Sequence, residues 1–495
     1  MLPVSDSTAN ANANANASVN VNVGLTEVLR RHGQIEVFRF RDELTPEQRA
    51  QLDDQVGSID FDQLDFLIAE FAGQGEAAEP PYSTEKVKAI EVFRLPQTDG
   101  ERVMRRVAAE LGEEMLGRGE IAVVVVAGGS GTRLGFEGPK GTYPIGAVSN
   151  SSLFQIHAEK VVALGRRHGR PIPLYVMTSH DNHDATVEFF AKHDQFGLDH
   201  VRFFKQGRMP AVDKNSGKIL LSAKDEVALS PDGHGSTLTA LAARGPEDAP
   251  SCLDEMRGRG VRTIFYFQVD NPLVKIADPS FLGLHRQGEA EMTFKVIEKI
   301  APDEKVGVVV QVDGVPQVIE YSDLPAHLAE RREPEGGLEL WAGSIAIHLL
   351  ELEFIDRIVS GETPLPFHRA NKKVPFVDEA GTLISPTVPN ALKFERFIFD
   401  ALPMAKRWAL VETDRSVEFE PLKNASGSDS PQSVRRRMTE QFATWLETAG
   451  ASVMREDDGS IPFAIEISPL YALNAAELKA KGVSGLVVDR AIYFR

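Results

Sequence analysis

Hydrophobic residues in the middle of this chain fall into short runs that alternate with segments of helical periodicity. Six runs rich in apolar or β-branched residues are predicted to be strands: Ile121–Ala127, Leu174–Thr178, Val201–Lys205, Thr263–Val269, Thr293–Glu298 and Val306–Val312. Apolar residues recur at helical spacing between several of these runs, as in Leu153–Arg167 and Asp184–His193. Strands that alternate with helices predict an α/β fold with right-handed crossovers and a Rossmann-like, mostly parallel sheet.

The two ends of the chain follow other patterns. Residues 1–23 end in ANANANASVNVNV, which buries too little apolar surface to fold, so a disordered tail is predicted over 1–24. Residues 25–118 are predicted to be a helical segment, in which Thr45 caps a helix, Pro46 begins it and Gln48 closes a capping box. The sequence EAAEPPYS, residues 76–83, predicts a loop within this segment.

The pattern changes again near residue 376. We therefore predict a nucleotide- and sugar-binding catalytic domain over 119–375, followed by a small α+β C-terminal domain over 376–495. Its last apolar run, Val487–Phe494, is predicted to be a late strand.

Composition restricts the class of protein. At 495 residues the chain is too long for a single core. The formal net charge of −18 argues against a nucleic-acid-binding or membrane-surface protein. The single cysteine, Cys252, excludes an intramolecular disulfide and fits a reducing compartment. No run approaches the ~18 apolar residues of a membrane span, and no secretory signal is visible. We expect a cytoplasmic enzyme.

The most informative segment is IAVVVVAGGSGTRLGFEGPKGTYPIG, which begins at Ile121. Its first seven residues predict a strand buried on both faces. Glycines follow the strand at Gly128, Gly129, Gly131 and Gly135. Such a loop lets backbone N–H groups approach anionic oxygens. Arg133 and Lys140 add positive charge, so the segment predicts a site for a phosphate-rich nucleotide.

Two common nucleotide motifs do not match this loop. A dinucleotide fingerprint requires G-x-G-x-x-G, but the glycine after Gly131 comes at 135, and Arg133 is unusual in a dehydrogenase turn. A Walker A loop requires G-K-[ST], but Lys140 follows a proline and precedes a glycine. A dehydrogenase is therefore disfavoured.

A carboxylate ends another predicted strand. Asp270 follows the apolar run Thr263–Val269, and the carboxyl end of a parallel strand is a suitable place for Mg²⁺ bound to nucleotide phosphates. The alternative is that Asp270 caps the next helix. The residue type and position alone leave these two interpretations about equal.

Several motifs occur together in one order along residues 85–425. They are G-G-S-G-T-R-L-G at Gly128, P-K-G at Pro139, F-F-K-Q-G-R-M-P at Phe203, S-P-D-G-H-G-S at Ser230, V-D-N at Val269, G-V-V at Gly307, E-Y-S at Glu320, W-A-G-S-I at Trp341, H-R-A-N-K-K-V-P at His368, P-N-A-L-K-F-E-R-F at Pro389 and F-E-P-L-K-N at Phe419. In these blocks the chain resembles the UTP-dependent sugar-nucleotide pyrophosphorylases, and most nearly the UDP-N-acetylglucosamine pyrophosphorylase group. The resemblance implies a nucleotidyltransferase, glycosyltransferase-A-like fold.

The resemblance also implies roles for residues that bind the substrates. The nucleotide is expected at Gly128, Gly129, Gly131, Gln206, Gly233 and His234, and the sugar at Gly307, Glu320 and Ser344. Two of these positions depart from the family pattern. His234 stands where the family has asparagine, and Ser344 also replaces an asparagine that contacts the sugar. The identity of the sugar is therefore open.

The implied reaction joins UTP and a hexose 1-phosphate into a UDP-sugar and pyrophosphate. Arg133, Lys140, Lys393 and Lys423 are the expected catalytic cations, and Asp270 is the expected ligand of Mg²⁺. N-acetylglucosamine 1-phosphate is the favoured sugar substrate. The alternatives are a UDP-glucose or broad-specificity UDP-sugar pyrophosphorylase, and a non-catalytic regulatory protein that binds UDP-sugars. No nucleic-acid or membrane partner is expected. The sequence indicates neither an oligomeric state nor whether Lys372 or Lys373 faces the site.

Overall fold

A computed structural model describes residues 24–71, 82–361 and 364–495. The tail predicted to be disordered lies outside the described residues, except for residue 24, and so does most of the loop predicted at 76–83. No helix among the described residues is long and apolar enough to cross a membrane.

Helices occur in all three described parts of the chain. They are α1 (residues 24–31), α2 (Pro46–Gly57), α3 (Phe61–Phe71), α4 (Asp99–Arg118), α5 (Leu153–His168), α6 (His183–Lys192), α7 (Thr237–Ala242), α8 (Cys252–Gly258), α9 (Pro279–Gln287), α10 (Ala326–Ala329), α11 (Leu352–Ser360), α12 (Arg415–Glu418), α13 (Pro431–Thr448) and α14 (Ala475–Ala480). The predicted capping box of α2 is confirmed, because Thr45 Oγ1 accepts from the Gln48 N–H and Gln48 Oε1 accepts from the Thr45 N–H.

Strands are concentrated between residues 121 and 412. They are β1 (Val87–Lys88), β2 (Ile121–Val126), β3 (Leu174–Thr178), β4 (Val201–Lys205), β5 (Arg208–Pro210), β6 (Val212–Asp213), β7 (Leu221–Ala223), β8 (Glu226–Val227), β9 (Leu229–Pro231), β10 (Thr263–Gln268), β11 (Met292–Glu298), β12 (Val308–Val312), β13 (Val315–Ile319), β14 (Ala342–Glu351), β15 (His368–Lys372), β16 (Phe376–Val377), β17 (Leu383–Ile384), β18 (Ala391–Glu395), β19 (Trp408–Glu412), β20 (Ser452–Val453), β21 (Ile465–Ile467), β22 (Val487–Val488) and β23 (Ile492–Phe494). The six predicted strands are present, with ends that differ by at most two residues.

The chain forms two compact units, each assembled from three separate segments. Among the described residues, the smaller unit contains 24–71, Gly207–Gly235 and Pro366–Phe397, and the larger contains the others. The boundaries of these units differ from those of the four segments predicted from the sequence. The helices of residues 25–71 pack with the short strands β5–β9 and β15–β18, whose core includes the buried side chains of Leu52, Leu64, Ile219 and Phe394.

The larger unit contains the central sheet. Its strand order is β1-β12-β14-β10-β2-β3-β4, with β11 and β19 joined through β14 and with β13 paired to β12. Strands β10, β2, β3 and β4 run parallel, so their carboxyl ends meet at one edge. The glycine loop, Gln206 and Asp270 follow these strands and therefore leave the sheet at that edge.

The predicted α/β class is confirmed, and the sheet is mixed. Strands β12, β13 and β14 pair antiparallel with their neighbours. Periodicity does not distinguish these directions, because a buried strand is apolar in either one. The prediction of one late strand over 487–494 is wrong. The structure has two short strands there, and β22 pairs with β20 whereas β23 pairs with β21.

Candidate active site

The glycine loop after β2 folds back on itself. The backbone N–H of Gly131 donates to the carbonyl of Gly138 at 2.9 Å, and that of Lys140 donates to the carbonyl of Gly129 at 3.0 Å. A Cβ at Gly131 would lie 2.7 Å from the Phe136 ring, so this position requires glycine. The amide of Gly131 is used inside the loop. The assignment of Gly131 to the nucleotide stays a prediction.

Other groups of the loop are available to a ligand. A Cβ at Gly129 would have no atom within 4 Å beyond its chain neighbours, so space lies above this backbone. Among the described residues, the N–H groups of Gly128 and Gly129 donate to no partner. Arg133 is exposed and forms no ion pair within the described part of the chain. Backbone donors and one free cation are the groups that a polyphosphate requires.

Lys140 and Asp270 form an ion pair at the edge of the sheet. The distance from Lys140 Nζ to Asp270 Oδ2 is 3.3 Å, and the two side chains are only 18% and 11% exposed. Lys140 follows the glycine loop of β2, and Asp270 follows β10, which is the parallel neighbour of β2. Two predicted site residues that are 130 positions apart are thus in contact.

Asp270 suits Mg²⁺ bound together with a nucleotide. Its Oδ1 has no hydrogen-bond partner in the described residues, whereas Oδ2 faces Lys140. Mg²⁺ commonly uses one or two protein carboxylates and takes its other ligands from phosphate oxygens and water. No group of three His, Cys, Asp or Glu side chains within the described ranges could hold a metal ion. A metal on Asp270 would therefore depend on the nucleotide for further ligands.

The backbone just before Lys423 is hydrogen-bonded to the backbone of Asp270. The N–H of Leu422 donates to the carbonyl of Asp270 at 2.8 Å, and the N–H of Lys423 donates to the carbonyl of Asp429 at 2.7 Å. Burial raises the pKa of Asp429, and the positive charge of Lys423 opposes that rise. The predicted cation Lys423 is thus held close to the predicted metal ligand.

Gln206 faces the glycine loop. It is almost fully buried, and its backbone N–H donates to the carbonyl of Thr178 at 2.8 Å, which extends the pairing of β3 with β4. Its Oε1 lies 3.0 Å from the place that a Cβ would take at Gly128. An amide so close to this loop offers a donor and an acceptor to a base.

The three residues predicted to bind the sugar also lie together. The N–H of Ser344 donates to the carbonyl of Gly307 at 2.9 Å. A Cβ at Gly307 would lie 3.0 Å from Glu320 Oε1. Strand β14 bulges just after Ser344, where Ala346 has a φ of +55°. Bulges in a strand redirect the neighbouring side chains.

The remaining predicted residues belong to the smaller unit. Gly233 has a φ of +87°, and a Cβ there would lie 2.2 Å from the carbonyl oxygen of Arg396, so only glycine fits. Burial, with a smaller contribution from repulsion by His368, lowers the pKa of His234 to about 4. The His234 ring lies 5.4 Å from the ring of Phe397. His234 is therefore neutral at pH 7 and offers one donor and one acceptor.

Lys393 lies on β18 of the same smaller unit, opposite Ala370 of β15. Burial lowers the pKa of Lys393, Lys372 lowers it further and Glu395 opposes the shift. Lys372 ends β15, whereas Lys373 follows the strand. Of these two lysines, Lys372 is the one whose positive charge lowers the pKa of Lys393.

Residues 81–456 match the family model described as UTP–glucose-1-phosphate uridylyltransferase. The chain belongs to this family. The membership predicted from the motifs is thus confirmed, and the match includes every residue that the motifs assigned to substrates, metal or catalysis.

Relatives within this family cover most of the chain. The human UDP-N-acetylhexosamine pyrophosphorylase-like protein 1 is 38% identical over 91% of this chain and 93% of its own length. The UDP-N-acetylglucosamine pyrophosphorylase of Saccharomyces cerevisiae is 36% identical over 82% of this chain and 87% of its own length.

Solved structures of family members have the same fold. The UDP-N-acetylglucosamine pyrophosphorylase of Trypanosoma brucei, in complex with an inhibitor, superposes with a TM-score of 0.80 and 26% identity, over 96% of this chain and 98% of that chain. The UDP-glucose pyrophosphorylase of Leishmania major has a TM-score of 0.57 at 16% identity, over 88% of this chain and 84% of that chain, and its likeness concerns the fold alone.

A set of buried polar groups behind the segment that follows Asp270 was not predicted from the sequence. Glu418 is fully buried and accepts hydrogen bonds from Lys295 Nζ at 2.5 Å, the Lys275 N–H at 3.1 Å and Thr413 Oγ1 at 2.7 Å. Lys295 also pairs with Asp278 at 3.1 Å. The available signal was Lys295 within the apolar strand β11, but its partner Glu418 lies 123 positions away.

Two polar residues of α5 reach the same segment. His157 Nε2 lies 2.9 Å from the carbonyl of Val269, and Lys160 Nζ lies 2.6 Å from the carbonyl of Pro272 and 2.8 Å from that of Val274. Burial lowers the pKa of His157 to about 3 and that of Lys160 to about 7. These residues interrupt the apolar face of α5, which is a sign that they bind polar groups of the protein interior.

Proposed function

We propose that this protein is a uridylyltransferase that forms a UDP-sugar and pyrophosphate from UTP and a hexose 1-phosphate, with N-acetylglucosamine 1-phosphate as the favoured sugar substrate. One observation carries the proposal. Lys140 contacts the glycine loop through its N–H to Gly129 and contacts the carboxylate of Asp270 through its ammonium, while Gln206 lies against Gly128. The names of the family relatives support the same activity.

The reaction needs no protein nucleophile. An oxygen of the sugar phosphate attacks the α-phosphorus of UTP, and the bond from that phosphorus to the bridging oxygen breaks with departure of pyrophosphate. Catalysis then depends on alignment and neutralisation of charge. The N–H groups of Gly128 and Gly129 and the guanidinium of Arg133 hold the outer phosphates, and Lys140 stabilises the charge that grows on the α-phosphate.

Asp270 is the residue proposed to hold Mg²⁺ together with phosphate oxygens. When bound, this ion neutralises phosphate charge and helps to orient the pyrophosphate leaving group. Lys140 helps to hold the carboxylate of Asp270 in place, since its Nζ lies 3.3 Å from Oδ2.

Further residues complete the proposal. Gln206, Gly233 and His234 are assigned to the nucleotide, Gly307, Glu320 and Ser344 to the sugar, and Lys393 and Lys423 to phosphate charge. The substrates are small molecules, and a cytoplasmic location is part of the proposal.

One observation favours a broader sugar specificity. Ser344 stands where the family pattern has asparagine, and its N–H donates to the carbonyl of Gly307, which is also assigned to the sugar. A serine reaches less far and lacks the paired groups of an amide. A UDP-glucose or broad-specificity UDP-sugar pyrophosphorylase is therefore the second candidate.

Pyrophosphate release tests the proposal directly. UTP and Mg²⁺ are supplied with the 1-phosphates of glucose, N-acetylglucosamine, galactose and N-acetylgalactosamine. Release with N-acetylglucosamine 1-phosphate is expected, and release with several sugars would favour the second candidate. Lys192→Met is a matched control for variants at Lys140, because Lys192 is exposed and forms no ion pair in the described residues. Binding of UTP without release of pyrophosphate with any sugar 1-phosphate would refute the proposed enzymatic activity and favour a protein that only binds UDP-sugars.

A further inference from the structure

A large cavity lies behind the segment that follows Asp270. It has a volume of about 400 Å³, and Pro272–Ile276 form part of its wall. The other walls come from α5, α13 and the C-terminal strands and are mainly apolar, including Leu164, Met438, Phe442, Trp445 and Ile467. A cavity offers no packed atoms on one side of the segment. Leu273, Val274 and Ile276 are buried in the core, but the side of the segment that faces the cavity has no close-packed partner.

Lys160 supplies the contact that packing does not. It projects from α5 along the same cavity, and its Nζ binds the carbonyls of Pro272 at 2.6 Å and Val274 at 2.8 Å. Without this ammonium, two carbonyl groups next to apolar walls would lose their hydrogen bonds, which is unfavourable. One side chain thus fixes two alternate residues of the segment.

Within the segment, the N–H groups of Leu273 and Val274 donate to Asn271, and the other bonds tie the segment to different parts of the chain. Asn271 Nδ2 donates to the carbonyl of Glu418 at 2.8 Å, and Glu418 Oε1 accepts from the N–H of Lys275 at 3.1 Å. His157 binds the carbonyl of Val269, just before Asp270. Lys160 is thus the residue that fixes the middle of the segment to α5.

We propose that Lys160 is a positioning residue for Asp270. By holding the carbonyls of Pro272 and Val274, it keeps the turn that begins at Asp270 in the position in which the Asp270 carboxylate contacts Lys140 Nζ. The proposal rests on the proposed function, because it takes Asp270 as the carboxylate that serves the nucleotide-bound metal. A displacement of about 1 Å at such a group commonly lowers a rate by ~10²-fold.

The first test compares Lys160→Met with Val161→Ala. Methionine keeps most of the side-chain volume but has no N–H group. Val161 is a buried neighbour on α5 with no polar contact to the segment, so its variant controls for a general loss of packing. We expect Lys160→Met to lower kcat by ~10²-fold with a much smaller change in KM for UTP. Lys160→Arg, which keeps the donors, is expected to retain most of kcat, as is Val161→Ala.

A second measurement needs neither metal nor substrate. Hydrogen–deuterium exchange of the peptide that covers residues 269–276 is expected to be faster in Lys160→Met than in the wild-type protein and Val161→Ala, while exchange in β2 stays unchanged. If the wild-type protein released no pyrophosphate, the proposed function would fail, and this measurement would still decide whether Lys160 holds the segment.

Chemical rescue gives the sharpest test. In Lys160→Ala the missing ammonium leaves a gap that opens on the cavity, so n-propylammonium is expected to restore part of kcat. Tetramethylammonium carries the same charge but no N–H, and it is expected to restore nothing. The proposal is overturned if Lys160→Met retains wild-type kcat and exchange, or if both cations act equally.

Discussion

Replacing Lys140 by methionine removes the ammonium that neutralises Asp270 and keeps most of the side-chain volume. The carboxylate, 11% exposed, would then lie beside the glycine loop without its cation. Two separate effects are expected, one on stability and one on turnover. Their sizes follow from the geometry of the pair.

The effect on stability follows from distance and burial. Two unit charges 3.3 Å apart attract by about 5 kcal/mol at an effective dielectric constant of ~20. The cost of removing both groups from water offsets a large part of this attraction. We therefore expect Lys140→Met to lower the free energy of unfolding by about 1–3 kcal/mol. The effect on turnover is larger in relative terms, because loss of one preorganised charge contact typically lowers kcat by ~10²–10³-fold.

The assay combines urea unfolding with pyrophosphate release for three variants: Lys140→Met, Asp270→Asn and the double variant. In the double variant neither charge is left without its partner, so it is expected to be more stable than Lys140→Met. Its turnover is expected to be no higher than that of either single variant, since both groups act on the substrate. Relative to Lys140→Met, the double variant should thus be more stable but no more active.

The reasoning would be refuted by either of two results. A kcat of Lys140→Met within about threefold of wild type would remove Lys140 from catalysis, because the expected loss is ~10²-fold or more. A double variant no more stable than Lys140→Met would show that the ion pair does not determine the stability of this site.

Three further predictions concern two buried side chains and one glycine with a positive φ. Glu418→Gln leaves the ammonium of Lys295 without its closest carboxylate, so chemical unfolding should show a loss of about 3–5 kcal/mol. His157 is neutral in the folded protein because its pKa is lowered from 6.5 to about 3, so its contribution to stability is complete above pH 6.5 and is lost as the pH falls towards 3. At pH 5 this loss is about 2 kcal/mol in the wild-type protein and should be absent from His157→Gln, measured by urea unfolding at pH 7 and pH 5. Gly233→Ala places a Cβ against the backbone of Arg396 at a positive φ, so the melting temperature should fall by several degrees, corresponding to about 1–3 kcal/mol.

Each of these has an outcome that contradicts it. A Glu418→Gln protein as stable as wild type would mean that Asp278 alone neutralises Lys295. Equal dependence of stability on pH in wild type and His157→Gln would mean that the imidazole is not held neutral. An unchanged melting temperature for Gly233→Ala would mean that the backbone of Arg396 moves away at little cost.

Much of the site was accessible from local sequence. Apolar runs predicted β2, β3, β4 and β10 to within one residue, because a strand buried on both faces needs a continuous apolar segment. The residues directly after these strands were therefore expected at one edge of a sheet. The glycine loop, Gln206 and Asp270 all lie there.

The pairing of distant groups was not accessible in the same way. Nothing local distinguishes Lys140 bound to Asp270 from a lysine exposed to water, because the distance between them depends on how β2 and β10 pair. The internal use of the Gly131 amide depends in the same way on the return of the chain at Gly138. Local pattern specifies which groups are available, and folding decides which of them remain unpaired.

The sequence by itself determined the α/β class, the family and the residue types of the site, since these depend on periodicity and on motifs of a few adjacent residues. Only the tertiary structure decided that three separate segments form each compact unit, that part of the sheet is antiparallel, and that Lys160 donates to two carbonyls of the segment after Asp270. The physical reason is common to all three. Each depends on contacts between residues far apart in the chain, and neither spacing nor hydropathy encodes such contacts.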